Sequence, residues 1–173
     1  MSFSGMVKEE LSRHIGSGRH CRIAELAAIF TFCGSLEAGT DGRKSLRIQT
    51  ENEALARKSF TLLQKTFNIE TDVSNSRTDC FRRGNLSCIS VTDQALIKEI
   101  LDSLKLEISG ISGGMPFVSN SIVYQRDCCK RAFVRGAFLC AGSISDPRKG
   151  YHFEIVCDNP ERAELISGII HNF

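Results

Sequence analysis

The sequence predicts an α+β fold with internal pseudo-two-fold symmetry. It is built from two α-β-β-α-β-β-α-type units whose leading helices pack together, the second unit being truncated. Three observations predict it. Ala132 to Pro147, AFVRGAFLCAGSISDP, reads as an apolar helix running straight into Gly142-Ser143 and then into a β-hairpin, and Cys21 to Glu37, CRIAELAAIFTFCGSLE, repeats the pattern. Cys21 matches Cys129, Ala24 matches Ala132, Ala28 matches Gly136, Phe30 matches Phe138 and Gly34-Ser35 matches Gly142-Ser143, at a constant step of 108 residues. Second, Ala24 with Ala28 and Ala132 with Gly136 stand four residues apart on single helix faces, small enough for another helix backbone to come close. Third, Leu46 and Ile48 alternate with Arg47 and Gln49, the period of a strand with one apolar and one polar face.

A chain of 173 residues, 42% of them hydrophobic, buries a real core, which excludes a disordered tail. Lysine and arginine number 22 against 20 acids, so overall charge does not by itself announce a nucleic-acid partner. No signal peptide, lipidation box or long uncharged apolar run is present, Arg135 interrupting the most apolar helix, and no membrane association is expected. Of the eight cysteines, Cys21, Cys33, Cys128, Cys129 and Cys140 lie in or beside the two apolar helices, where free thiols pack as small hydrophobes in a reducing, cytoplasmic compartment. Neither Cys80 with Cys88 nor adjacent Cys128-Cys129 has the local spacing of a zinc site, so no metal and no cofactor is expected.

In chain order, residues 1–20 hold an accessory helix capped by Ser4, with Val7, Leu11 and Ile15 recurring every four residues and Gly16-Ser17-Gly18 ending it. The first unit, 21–106, opens with the helix Cys21–Cys33 and a hairpin of strands Ser35–Ala38 and Lys44–Thr50 turned by Gly39-Thr40-Asp41-Gly42. Asn52 caps a helix with Leu55, Phe60, Leu63 and Phe67 inward. Strands Ile69–Ser74 and Leu86–Val91 follow, joined by a basic loop with Arg77, Arg82 and Arg83, and Thr92 caps a helix through Leu104. Residues 107–127, rich in Gly and Ser, read as a linker or insertion with a short strand over Ser121–Tyr124. The second unit, 128–173, repeats the helix, then a strand over Tyr151–Val156 and a helix opened by Asn159-Pro160. Counterparts of the first unit's last two strands and helix are absent, as in a fragment of a longer protein.

Two helices with small contact faces, each ending in glycine and leading into a hairpin, resemble the LAGLIDADG homing-endonuclease fold, which implies a saddle of two sheets lying over DNA. The stretches SGMVKEELSR and CCKRAFVRGAFLCAGSISDPRKGYHFEIVCDN are similar to the bacterial WhiA family of sporulation and cell-division regulators, over nearly the whole chain. That resemblance implies a cytoplasmic, nucleoid-associated regulator of transcription, cell division and chromosome segregation. It also implies a C-terminal helix-turn-helix domain, which is absent from this sequence.

The resemblance implies an acidic metal ligand just before the glycine at the base of each central helix, because two carboxylates there hold the ions that activate water. The matching positions are Cys33 and Ala141, neither of which binds magnesium, and Glu37 and Asp146 follow the helix ends. The expectation is a non-enzyme. Ser143, Ser145, Asp146 and His152 lack a nucleophile-elbow pattern, and Gly110 to Gly114 does not continue as a phosphate loop. The candidate DNA contacts are Arg43, Lys44, Arg47, Gln49, Arg77, Arg82 and Arg83 in the first unit and Arg148, Lys149 and His152 in the second. DNA is thus one expected partner. The other reading is a module that meets regulatory proteins and touches no DNA.

Overall fold

The computed structural model describes residues 1–69 and 78–173. At its centre, α2 (Arg19–Cys33) packs against α5 (Asp127–Ala141). Residues Ala24 through Thr31 of α2 are all buried, because the helix is covered by α5 and by the first unit's sheet and helices. Ala24, Ala28 and Ala132 are fully buried, and a Cβ at Gly136 would stand 2.7 Å from the Glu25 carbonyl oxygen and 3.0 Å from the Ala28 Cβ. The two backbones are therefore in contact at Gly136, and any side chain there forces them apart.

Each central helix runs without a loop into a strand, β1 (Gly34–Ala38) or β8 (Gly142–Ile144). The repeated glycine permits this. A Cβ would lie 2.4 Å from the Phe30 oxygen at Gly34 and 2.7 Å from the Phe138 oxygen at Gly142, the carbonyl four residues earlier in each case. The first-unit sheet adds β2 (Lys44–Thr50), β3 (Thr78–Arg83), β4 (Leu86–Val91) and the two-residue β6 (Gly113–Gly114), in the order β3-β4-β2-β1-β6 with antiparallel neighbours. Leu36, Leu46, Ile48, Ile89 and Val91 are buried on one sheet face and share a core with α3 (Glu53–Phe67) and α4 (Gln94–Leu104). Asn52 caps α3, its Oδ1 accepting from the Ala54 and Leu55 amides.

Several elements differ from the sequence reading. The first cap is Ser2, whose Oγ accepts from the Gly5 amide, so α1 covers Phe3–Arg13 with Ser4 inside it, and the Ser4 Oγ accepts from the Ile144 amide of β8. Asp93, not Thr92, caps α4, since its carboxylate reaches the Leu96 amide and also suits the positive helix end. Arg82 and Arg83 belong to β3 rather than to a loop, with Arg83 paired opposite Leu86 across a two-residue Gly84-Asn85 turn in which Gly84 has φ 64°. Of the expected strand Ile69–Ser74, Ile69 lies outside regular structure and residues 70–74 lie outside the described residues.

Residues 107–127 are ordered into the fold. β5 (Leu106–Ile108) pairs with β7 (Pro116–Val118), and β6 between them extends the main sheet beside β1. Ser121–Tyr124 forms a 3₁₀ turn, not a strand, because the Asn120 side chain caps it by accepting from the Ile122 amide. The second-unit hairpin is short, β8 with β9 (Phe153–Ile155), in place of the expected strand Tyr151–Val156. The last helix, α6 (Pro160–Ile170), is capped by Asn159 with Pro160 at its first position. Arg162 of α6 is buried and donates to the carbonyls of Thr31 and Pro116, tying α6 to the base of α2 and to β7. Among the described residues, no helix is long and apolar enough to cross a membrane.

Candidate nucleic-acid interface

The face of the first sheet opposite the helices is set by the alternation in β2. Ser45, Arg47 and Gln49 point away from the core, and the register places Arg47 opposite Ser35 on one side and Ser90 on the other, with Gln49 opposite Cys88. Across this face the Arg47 guanidinium pairs with Glu37 at 2.6 Å and donates to the Ser45 Oγ, which bonds the Ser90 hydroxyl. Gln49 is exposed, and Phe81 of β3, opposite Cys88, exposes its ring nearby.

The remaining candidates divide by position. Arg43 and Lys44 stand at the start of β2, beside the first hairpin turn, and neither side chain has an ion pair or hydrogen bond among the described residues. Lys149, in the second hairpin's turn, is likewise unpaired, whereas its neighbour Arg148 grips Asp146 at 3.0 Å and holds that carboxyl below its ordinary range. His152 lies 3.2 Å from Glu154, whose carboxyl is lowered first by the Ser143 hydroxyl donating to it and then by His152. Arg82 alternates to the helix side of its sheet and pairs with Glu53 at the start of α3, away from Arg47. Arg83 occupies the β3 end opposite Leu86, and Arg77 lies outside the described residues. The structure thus sets Arg43 and Lys44 at the start of β2, leaves Arg148, Lys149 and His152 on the separate second hairpin, and turns Arg82 to the other face of the first sheet.

At the bases of the central helices, Cys33 and Ala141 are the last helical residues. Neither position carries a carboxylate, and the acid whose charge reaches Cys33 is Asp158, beyond β9. The Cys33 thiol meets Cys140, and this hydrogen bond, with the nearby Lys8 charge, lowers the Cys33 pKa against the opposing effect of burial. Lys8 reaches the same place from α1, 5.7 Å above the Phe138 ring, its own pKa lowered by burial. Glu37 and Asp146, the acids downstream of the two bases, are both occupied by arginines.

The opposite ends of the same helices hold a group that local spacing rules miss. His20 and Cys21 from α2 and Cys128 and Cys129 from α5 place one ligand atom each within 4.8 Å of one another. His20 and Cys128, like Cys21 and Cys129, stand one repeat step apart, so the internal symmetry was the signal that could have found them. Burial pushes the Cys129 thiol up to about 12, with its cysteine neighbours adding to the shift.

A pair of central helices flanked by hairpins defines a LAGLIDADG-like protein, here degenerate because both helix bases lack their acids. The homing endonuclease I-DmoI, solved with its target DNA, shares this fold at a TM-score of 0.58 and 15% identity, over 89% of this chain and 78% of that one. The chain belongs to the WhiA family: its residues 19–107 match the WhiA N-terminal LAGLIDADG-like domain, and 130–173 match the WhiA LAGLIDADG-like domain. It is 43% identical to a probable cell division protein WhiA of Lachnoclostridium phytofermentans and 39% identical to that of Desulforamulus reducens, over all of this chain and 55% and 53% of theirs. Full-length DUF199/WhiA from Thermatoga maritima superposes at a TM-score of 0.65 with 20% identity, over 100% of this chain and 51% of that one. The chain spans about half the length of the curated relatives it matches.

Proposed function

We propose that this chain is the non-catalytic scaffold of a DNA-binding regulator of transcription, sporulation, cell division and chromosome segregation, acting in the cytoplasm at the nucleoid. The observation that carries the non-catalytic part is the chemistry of the helix bases. Two thiols and an ammonium stand at the bases, where metal-dependent phosphodiester hydrolysis needs carboxylates, and the acids that follow the helix ends, Glu37 and Asp146, are taken by Arg47 and Arg148. The DNA reading is supported by the turn cations Arg43, Lys44 and Lys149, free to neutralise phosphates, and by the exposed Gln49 amide at the far end of β2 from Lys44, which is of a kind that reads base edges. Contact through this region is weak, and strong sequence reading belongs to a helix-turn-helix domain outside this chain.

A second reading is a module for regulatory proteins with no DNA contact. Its support is specific: Arg47, Arg82, Arg148 and His152 already face carboxylates, which cancels much of the basic surface. Fluorescence anisotropy of the chain with duplex DNA across a salt series separates the two. Affinity falling linearly in log salt supports phosphate contact, and absence of binding at low salt favours the protein partner. Strand cleavage requiring magnesium would overturn both.

A further inference from the structure

We propose that His20, Cys21, Cys128 and Cys129 form a zinc site that clamps the amino-terminal ends of α2 and α5. The argument is geometric. A tetrahedral zinc with sulfur at about 2.3 Å and nitrogen at about 2.05 Å sets its sulfur and nitrogen ligands about 3.6 Å apart. The His20 Nδ1 lies 3.2 Å from the Cys129 Sγ, 3.4 Å from the Cys21 Sγ and 3.8 Å from the Cys128 Sγ, which brackets that edge length for all three thiols. All four donor atoms fall within 4.8 Å of one another, converging as ligands of a single ion do.

Four further features fit. The ligand set, three thiolates and one imidazole, is a structural zinc set, with no position left for water or substrate. Gly18 leaves room for the His20 ring: a Cβ there would stand 2.8 Å from the His20 Nε2, so the absence of a side chain lets the ring fold back with Nδ1 toward the thiols. The cluster also has an entry path, since His20 and Cys128 are exposed and border a groove of about 530 Å³ lined by Gly16, Gly18, Arg131 and Arg135. The cysteines and histidine come from the first turns of both helices, and the arginines of the groove offset the negative charge that three thiolates carry once a metal ion has displaced their protons.

The test is metal analysis of the whole chain purified under reductant, followed by Co²⁺ titration of the metal-free protein. The expected result is about one zinc per chain and a Co²⁺ complex with tetrahedral visible bands and thiolate charge-transfer absorption. Cys128→Ser, at an exposed position, should lower metal affinity at least about a hundredfold, while Cys80→Ser, outside the cluster, should leave it unchanged. Metal-free reduced protein that binds no Co²⁺, an octahedral spectrum without sulfur absorption, or equal affinity in Cys128→Ser and the parent each overturns the proposal.

Discussion

The two ends of the central helix pair are built by the same symmetry and carry opposite chemistry. At the amino-terminal ends, equivalent positions bring together three thiols and an imidazole where helix amides converge, an environment suited to anionic ligands and hence to a cation bound between them. At the carboxyl-terminal ends the carbonyls converge, and what stands there is a thiol pair with the Lys8 ammonium, neither last helical position being an acid. The comparison teaches that a pseudo-two-fold helix pair offers two composite sites. Which one does chemistry depends on a few side chains, not on the fold.

Between the ends lies a polar waist that decides whether the comparison holds together. Glu25 is completely buried and pairs with the buried Lys58 and, through both carboxylate oxygens at 3.1 Å, with Arg135 across the helix interface. Lys58 also donates to the Leu11 carbonyl, so α1, α2, α3 and α5 meet at one carboxylate. Glu25→Gln strands Lys58 and should cost about 3 to 5 kcal/mol in chemical denaturation, the largest effect expected. It should also change the pH response. Burial already holds the native Lys58 pKa below 10.5 and Glu25 opposes that shift, so between the native pKa and 10.5 the unfolded chain binds more protons and stability rises with pH. Without Glu25 that window widens downward, and the rise toward alkaline pH should start earlier and be larger. A flat profile would mean that Lys58 escapes to water in the variant.

Gly136→Leu tests the contact from which both composite sites derive. The added side chain meets the Glu25 carbonyl and the Ala28 Cβ and should cost about 3 kcal/mol by overpacking, read as a lowered denaturation midpoint. Unchanged stability would refute close backbone packing. Metal sharpens the comparison from the other side: zinc at a hundred times its Kd should stabilise the folded chain by about 2.7 kcal/mol, and a chelator should remove that gain from the parent but not from Cys128→Ser. An equal response in both proteins would place the metal elsewhere.

How much of this was legible follows from what each feature depends on. The helix repeat, the first hairpin and the Asn52 and Asn159 caps are local patterns, and the structure has them at or within a residue or two of the expected positions. The β3 hairpin was missed although Gly84-Asn85 is a two-residue turn signal, because charged residues around Phe81 read as a loop while their backbones completed the ladder with β4. β6 was missed for lack of any side-chain pattern: two glycines pair beside β1, where a Cβ on Gly113 would lie 2.6 Å from the Leu36 oxygen. The four-ligand cluster escaped because zinc spacing rules look for local pairs, whereas here each local pair meets its partner a whole repeat away. The acids facing Arg47 and Arg82 depend on register and on helix placement, which composition does not carry.

The smallest predicted effects concern the surface and compare free with neutralised cations. If the chain contacts DNA, Arg43→Ala and Lys149→Ala should each lower the salt dependence of binding by about one unit of slope, because each removes an unpaired charge. Arg148→Ala should change the slope less, since the Asp146 carboxylate already neutralises that guanidinium and leaves it little charge to offer a phosphate. At Arg47 the sign can be reversed by changing its partner. Glu37→Gln removes the carboxylate that holds the guanidinium at 2.6 Å and leaves Arg47 free to meet a phosphate or base, so affinity should rise and the slope should increase by about one. A loss of affinity in Glu37→Gln would mean that the ion pair positions Arg47 for contact rather than withholding it, and unchanged affinity would take the β2 face out of the interface altogether.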